Sequence, residues 1–394
     1  MLTNRPTLPA ELIDIIIDHL HSDVQALKAC ILTSKTWVPS CRYHLFQSIH
    51  LDLSLPAVRL RPFFDHLAQP SSHFPTTLRT LTLRCEYQQQ TPHILTNLAT
   101  LRALQTLSLS FWYTTLPNPE WFRLSSHSIT RLGLTSCRIG LTEFIGLAQQ
   151  LEALEALQLS SVSWKETNMN IESAALKAGP ILPRLRELHL GRLSAAVLPG
   201  LTALLAHGVI VGKVNCVRLD ELDRRNTRAA GALLRMLGTS LHSLTISAKT
   251  HLHGVDTAFT LEENTSLKSV HFGELVDPVH DVGLSREFSN SWEWVADLLH
   301  QLPCSVQRVA FSCWLVPGDR LGLDKKSADS VDWRRLVPVL ARLERLKEVE
   351  FRLAAGLEHR RWLREKIGRQ FKGCPSSVKV VELLEVGGSG LKYQ

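Results

Sequence analysis

From Phe46 onward one spacing of apolar side chains keeps returning: apolar-x-x-apolar-x-apolar. It appears as Phe46-Ile49-Leu51, Leu78-Leu81-Leu83, Leu104-Leu107-Leu109 and Ile129-Leu132-Leu134. It continues as Leu154-Leu157-Leu159, Leu185-Leu188-Leu190, Val214-Val217-Leu219 and Leu241-Leu244-Ile246. Later copies are Leu267-Val270-Phe272, Val306-Val309-Phe311, Leu346-Val349-Phe351 and Val378-Val381-Leu383. Their starting points lie about 25 to 40 residues apart. The last three positions of each copy predict a short strand with alternate side chains turned inward. One such strand cannot bury its apolar side alone, whereas stacked parallel strands make a continuous core. Between copies the period lengthens to that of helices, over Leu141–Leu151, Thr227–Leu237, Trp292–Leu302 and Trp333–Leu343. The expected architecture is α/β, a solenoid with parallel strands on a concave wall and helices on the convex side.

The stretch before the repeats follows a helical period from the start. Pro9 suits a first helical turn. Beyond it, Glu11, Asp14 and Asp18 share one narrow arc. Leu8, Leu12, Ile13, Ile15, Ile16, Ile17 and Leu20 cover roughly 200° of the rest at about 100° per residue. One packing partner needs only about 100°. This helix therefore predicts two partners, the protein's own core and another molecule. Ser22-Asp-Val-Gln25 has capping-box spacing and predicts a second helix from Asp23 to about Leu32. A third is expected from near Thr36, carrying Trp37, Cys41, Leu45 and Phe46.

Leu8-Pro9-x-Glu11-Leu12, Ile16-Ile17, Leu20, Leu27, Cys30 and Trp37 resemble an F-box. The form Leu-Lys-Ala-Cys-x-Leu-x-Ser-Lys-x-Trp resembles the variant common in fungal F-box proteins. The repeating LxxLxL resembles the leucine-rich repeat. Together they imply an N-terminal three-helix F-box over 6–46, a leucine-rich-repeat solenoid over 47–385 and a flexible tail over 386–394. The resemblance implies that Leu8, Pro9, Leu12, Ile16 and Trp37 bind the Skp-type adaptor of an SCF (Skp–cullin–F-box) ubiquitin ligase. Through it the chain would reach a cullin, and the repeats would bind an unknown protein substrate. One departure stands out. The family's Asn or Cys three residues past the LxL is met only by Cys137, and Glu86, Trp112, Val162, Leu193, Leu222, Lys249, Leu275, Trp314 or Ala354 stand elsewhere. The side-chain ladder that usually closes the turns is thus mostly missing, which predicts irregular repeats.

Composition narrows the function. The 394 residues are 44% hydrophobic and 21% charged, which is globular. A net charge of +7 is mild for this length and carries no nucleic-acid signature. No stretch reads as a membrane span, a signal core or a prenylation box. The eight cysteines are scattered without a CxxC and mostly lie in apolar runs. That predicts reduced thiols in a cytoplasmic or nuclear protein. The basic run Arg360–Arg369 reads as the solvated side of a final helix with Leu357, Leu363, Ile367 and Phe371 as its apolar stripe.

No metalloprotease, Walker, nucleophile-elbow or kinase motif occurs. His251-Leu-His253 lacks a third ligand and reads as a loop. Neither catalysis, a cofactor nor a metal is expected. Long insertions after strands, at Ser160–Asn170, Ser247–Thr257, Gly273–Asn290 and Trp314–Val331, bring aromatic side chains to one edge. Trp112, Tyr113, Trp164 and Trp314 are candidate partner contacts, as are Arg131, His189 and Arg218 at outward strand positions. The expected function is target recognition for a ubiquitin ligase. The alternative is a scaffold outside any ligase, with the N-terminal helices only capping the solenoid.

Overall fold

The computed structural model describes residues 8–55, 57–69, 72, 74–85, 97–111, 128–165, 180–192, 197–210, 212–222, 224–248, 259–273, 291–314, 333–354, 357–372 and 377–382. The chain forms two compact units, Met1–Leu154 and Glu155–Gln394.

The first unit begins with helix α1, Ala10–His19, with Pro9 at its N-cap. Helix α2 is Val24–Thr33. Its cap is Asp23 rather than the expected Ser22. Asp23 Oδ1 accepts from the backbone N–H groups of Gln25 and Ala26 at 3.0 and 2.9 Å. A carboxylate suits this place because the exposed N–H groups and the helix dipole both favour negative charge. The third helix also starts later than expected. A 3₁₀ turn, Lys35–Trp37, precedes helix α3, Val38–Phe46. Pro39 sits in the first turn of α3, where it has no N–H to leave unsatisfied. Ile17, Leu27 and Cys41 form the buried centre of the three helices, with Ile13, Leu20, Cys30, Ile31, Trp37 and Leu45 packed around it.

Four parallel strands follow in the same unit: β1 (Ser48–Asp52), β2 (Thr80–Cys85), β3 (Thr106–Phe111) and β4 (Arg131–Thr135). Their register aligns Ile49, Leu81, Leu107 and Leu132 in one row and Leu51, Leu83, Leu109 and Leu134 in the next. Helix α4 (Ala57–Ala68) follows β1, and α5 (Leu141–Gln149) follows β4. The helices meet the repeats through α3. Phe46 packs edge-on to Phe74 at 5.1 Å, and the Arg79 guanidinium lies 5.8 Å from the Tyr43 ring centre.

The second unit repeats the theme eight times. Its strands are β5 (Ala156–Ser160), β6 (Glu187–Gly191), β7 (Cys216–Leu222), β8 (Ser243–Ala248), β9 (Ser269–Gly273), β10 (Arg308–Trp314), β11 (Glu348–Ala354) and β12 (Ser377–Glu382). All pair in parallel with their neighbours in chain order. Crossovers between parallel strands come from α6 (Val197–Ala206), α7 (Arg224–Leu237), α8 (Ser291–His300), α9 (Trp333–Ala341) and α10 (Leu357–Gln370). Leu159, Leu190, Leu219, Ile246, Phe272, Phe311 and Phe351 make one continuous inward row. This is the expected α/β architecture of parallel strands with helices between them, with the helical N-terminus in place.

The last copy needs a correction. The pattern predicts Val381 and Leu383 as its inward pair, but the register sets Val378 opposite Val349 and Val380 opposite Phe351. Val381 is exposed. The run Val-Lys-Val-Val offers two overlapping alternations, and the backbone decides between them. The Ser377 N–H donates to the Lys347 carbonyl at 3.0 Å, at the strand entry used throughout the unit.

That entry is a relay. The Glu155 carbonyl accepts from Arg186 and Glu187; Arg186 accepts from Asn215 and Cys216; Asn215 accepts from His242 and Ser243. The series goes on through His242, Lys268 and Gln307 to Lys347. In the first unit Gln47, Arg79 and Gln105 do the same. Four strand exits share one turn, whereas Cys85, Phe111, Ala248, Cys313 and Leu353, at the corresponding positions of other strands, stay within the strand. Ser136, Ser161, Arg192 and Glu221 all hold φ near +50°, each two residues past the second inward side chain. The next residue is buried and apolar where described: Cys137, Val162, Leu222. Burial pushes the Cys137 thiol up to about 12. At these exits, where that residue is described, a buried apolar side chain takes the ladder's position, and the other described exits turn differently, which is the irregularity that the mostly missing ladder predicts.

Candidate functional site

Two surfaces carry the chemistry available for recognition, one in each unit. In the first, α1 is amphipathic in an unusual sense. Ile13, Ile17 and Leu20 turn inward. The acidic edge does not simply face water. Asp14 accepts from Ser40 Oγ at 2.5 Å, and Asp18 lies 2.8 Å from His44 Nε2, so spacing of four on α1 matches spacing of four on α3. The remaining apolar arc is open: Leu8, Leu12, Ile15 and Ile16 are 53, 46, 52 and 43% exposed. Leu8 precedes the helix, and on a helical wheel Leu12, Ile15 and Ile16 of α1 cover a contiguous arc of about 100°. Val24 and Leu32 of α2 are exposed as well. Of the residues expected to bind an adaptor, Leu8, Pro9, Leu12 and Ile16 are therefore on the surface, and Trp37 is half-buried against the small core. Around Val38, Pro39, Arg42, Tyr43 and Phe46 of α3, with His66, Phe74 and Thr77, lies a cavity of about 660 Å³.

In the second unit the site is the outward side of the strands. The register places His189, Arg218, Thr245, His271, Ala310, Glu350 and Lys379 side by side across seven strands. Charges cluster around two carboxylates. Asp220 Oδ2 is 2.5 Å from His189 Nε2, Arg218 Nε donates to both Asp220 oxygens at 2.8 and 3.0 Å, and Ser247 Oγ donates at 3.3 Å. Burial opposes ionisation of Asp220, but the hydrogen bonds from His189 and Arg218 outweigh it and hold the carboxyl below its usual range. Glu350 is likewise buried and accepts from Arg352 Nε at 2.8 Å and from Arg308 Nη2. Those bonds again overcome the cost of burial and keep it ionised. His271 sits between the clusters with Nε2 2.7 Å from Ser312 Oγ. Burial, then the charges of Arg352 and Arg218, push its imidazole down to about 4. At neutral pH it is an uncharged hydrogen-bonding group.

The structure brings together only part of the expected partner site. His189 and Arg218 meet on Asp220. Arg131 is an exposed residue on β4 of the first unit. Trp164 is enclosed, 5% exposed, and offers no surface. A Cβ at Gly200 of α6 would stand 2.7 Å from its Nε1, so the absence of a side chain there makes room for the indole. Trp112 and Tyr113 lie outside the described residues, and Trp314 ends β10 with its backbone paired to Ala354. Most of the long insertions, the pair His251 and His253 and the tail from 386 also fall outside them. Asp220, Glu350, Arg308 and Arg352 were missed. Their signal was present as charged residues alternating with inward apolar ones in Val217-Arg-Leu-Asp220 and Val349-Glu-Phe-Arg352. Among the described residues no group of three His, Cys, Asp or Glu could hold a metal, and no helix is long and apolar enough to cross a membrane.

No family model matches the chain, and neither does any curated protein. Among solved structures, the leucine-rich repeat-containing protein LegL7 from Legionella pneumophila aligns with a TM-score of 0.39 at 15% identity, over 68% of this chain and 83% of that one.

Proposed function

We propose that this chain is the substrate-recognition subunit of an SCF-type ubiquitin ligase. Its N-terminal helices dock on a Skp-type adaptor, and its repeats hold a target protein. The observation that carries the reading is the open apolar arc of α1. A helix that merely capped the stack would turn Leu12 and Ile16 inward, yet Leu12, Ile15 and Ile16 of α1 and the preceding Leu8 are exposed while Ile13 and Ile17 fill the core. Leu8, Leu12 and Ile16 coincide with the positions that face the adaptor in the F-box family. An exposed apolar surface of this kind asks for a partner. In this reading the chain performs no catalysis; it raises the effective concentration of target near the ligase.

The test is co-purification of the full chain with a Skp-type adaptor, beside the triple variant Leu8→Ala, Pro9→Ala, Leu12→Ala. Stoichiometric capture by the wild type and loss of capture by a folded variant are expected. A well-folded wild type that captures no adaptor sinks the reading and leaves a repeat scaffold outside any ligase.

A further inference from the structure

Among the described ion pairs of the second unit, those on the strand face have recessed carboxylates, at most 23% exposed, whereas the carboxylates of the helical pairs are more than half exposed. In each pair of this face the carboxylate is the more deeply placed partner. Lys379 is 61% exposed over Glu348 at 23%, Arg192 60% over Glu221 at 22%, and Arg308 44% over Glu350 at 6%. Arg218 over Asp220 and Arg352 over Glu350 follow the same order. On the helices, Arg335 and Asp297 are about equally open, and Arg361 and Glu365 both stand well out in water. The strand face thus has a floor of carboxylates and an outer layer of guanidinium and ammonium groups. The floor fixes the cations in place, which lowers the entropy lost when they grip a ligand.

We propose that this face binds an extended, Asp/Glu-rich segment of a partner protein. Length and charge both point to that occupant. From His189 on β6 to Lys379 on β12 there are six strand spacings, about 29 Å at ~4.8 Å each, the span of roughly nine extended residues. The recessed carboxylates nearly cancel the cations beyond a Debye length of about 8 Å, so a dense polyanion such as nucleic acid gains little long-range attraction. At contact distance the cations still offer charge-assisted hydrogen bonds to separate carboxylates. His271 and Ser312 add neutral polar contacts between the charged clusters. The inference rests on the reading that the repeats hold a protein target, but not on adaptor capture, so the two fail separately.

Binding of a fluorescein-labelled ten-residue peptide of alternating Asp and Ser to the full chain tests the proposal by fluorescence anisotropy. A Lys/Ser peptide, a phosphoserine peptide without Asp or Glu and a single-stranded oligonucleotide serve as comparisons. The double variant Arg192→Gln, Lys379→Gln changes two exposed cations and leaves the Glu350 cluster intact. It is expected to weaken the Asp peptide about tenfold, two lost pairs at up to about fivefold each. The helical variant Arg361→Gln, Arg364→Gln is expected to change binding less than twofold. Equal losses in both variants would mean simple attraction to a basic protein and overturn the proposal. So would tighter binding of the oligonucleotide or phosphopeptide, or no binding of the Asp peptide, whether or not the adaptor is captured.

Discussion

The N-terminal helices fully bury Ile17, Leu27 and Cys41 and leave Leu12, Ile15 and Ile16 of α1 open. The C-terminal repeats instead stack ring on ring. Phe272, Phe311 and Phe351 succeed one another at 5.6 and 5.0 Å with planes nearly parallel, and Trp294, Trp333 and Phe371 close around them. Both regions are rich in apolar side chains. The difference is that strands in register pass burial from one repeat to the next, while three short helices have too little interior for their apolar supply. An apolar residue in an inward strand row is therefore buried, whereas α1 divides its apolar residues between a small core, Ile13 and Ile17, and an open side, Leu12, Ile15 and Ile16.

The comparison can be broken by core truncations. Phe311→Ala is expected to cost about 4 kcal/mol, because the ring lies between two others and the cavity cannot collapse onto a rigid strand. Denaturant unfolding followed by Trp fluorescence measures it, since Trp294 and Trp333 flank the stack. Ile17→Ala is expected to cost about 3 kcal/mol. Its effect should be confined to the first unit and show as lost amide protection in α1–α3 with β9–β11 still protected. Cooperative loss of both would remove the distinction drawn here.

Acidity sharpens it. His271 is held uncharged in the fold with its titration at about 4, against 6.5 for a free imidazole. Below pH 6.5 the unfolded chain takes up a proton that the folded one refuses, so stability is full above that pH and falls as pH drops toward 4. The expected loss is about 2 kcal/mol between pH 7.5 and 4.5, after allowing for partial screening. Asp220 and Glu350 add to it at still lower pH, because their carboxyls are held ionised by their partners. His271→Gln should flatten the upper part of the curve. An unchanged slope would mean that the imidazole protonates freely in place.

Strand positions were legible because inward and outward side chains alternate, and a dozen copies at similar spacing fix the phase. Legibility failed where two phases fit, as in Val378-Lys-Val-Val381, and the amide of Ser377 settled the choice. It failed again where distant residues meet. Nothing near Trp164 announces that Gly200 will leave room for its ring. His189 and Asp220 are 31 residues apart, and Arg308 and Glu350 are 42 apart, so their clusters exist only once the strands are aligned. The open face of α1 was readable from sequence because it needs only local geometry, an apolar arc twice as wide as one neighbour can cover.

The carbonyl relay at the strand entries has a mechanical consequence. From Glu155 to Gln307 of the second unit, each repeat is tied to the next by a single peptide oxygen shared between two amides, plus the strand pairing that follows. A pull along the stack of the second unit meets these ties in series rather than in parallel. Force applied to β12 should peel the unit strand by strand, in steps of one repeat's contour length, instead of rupturing it at one peak.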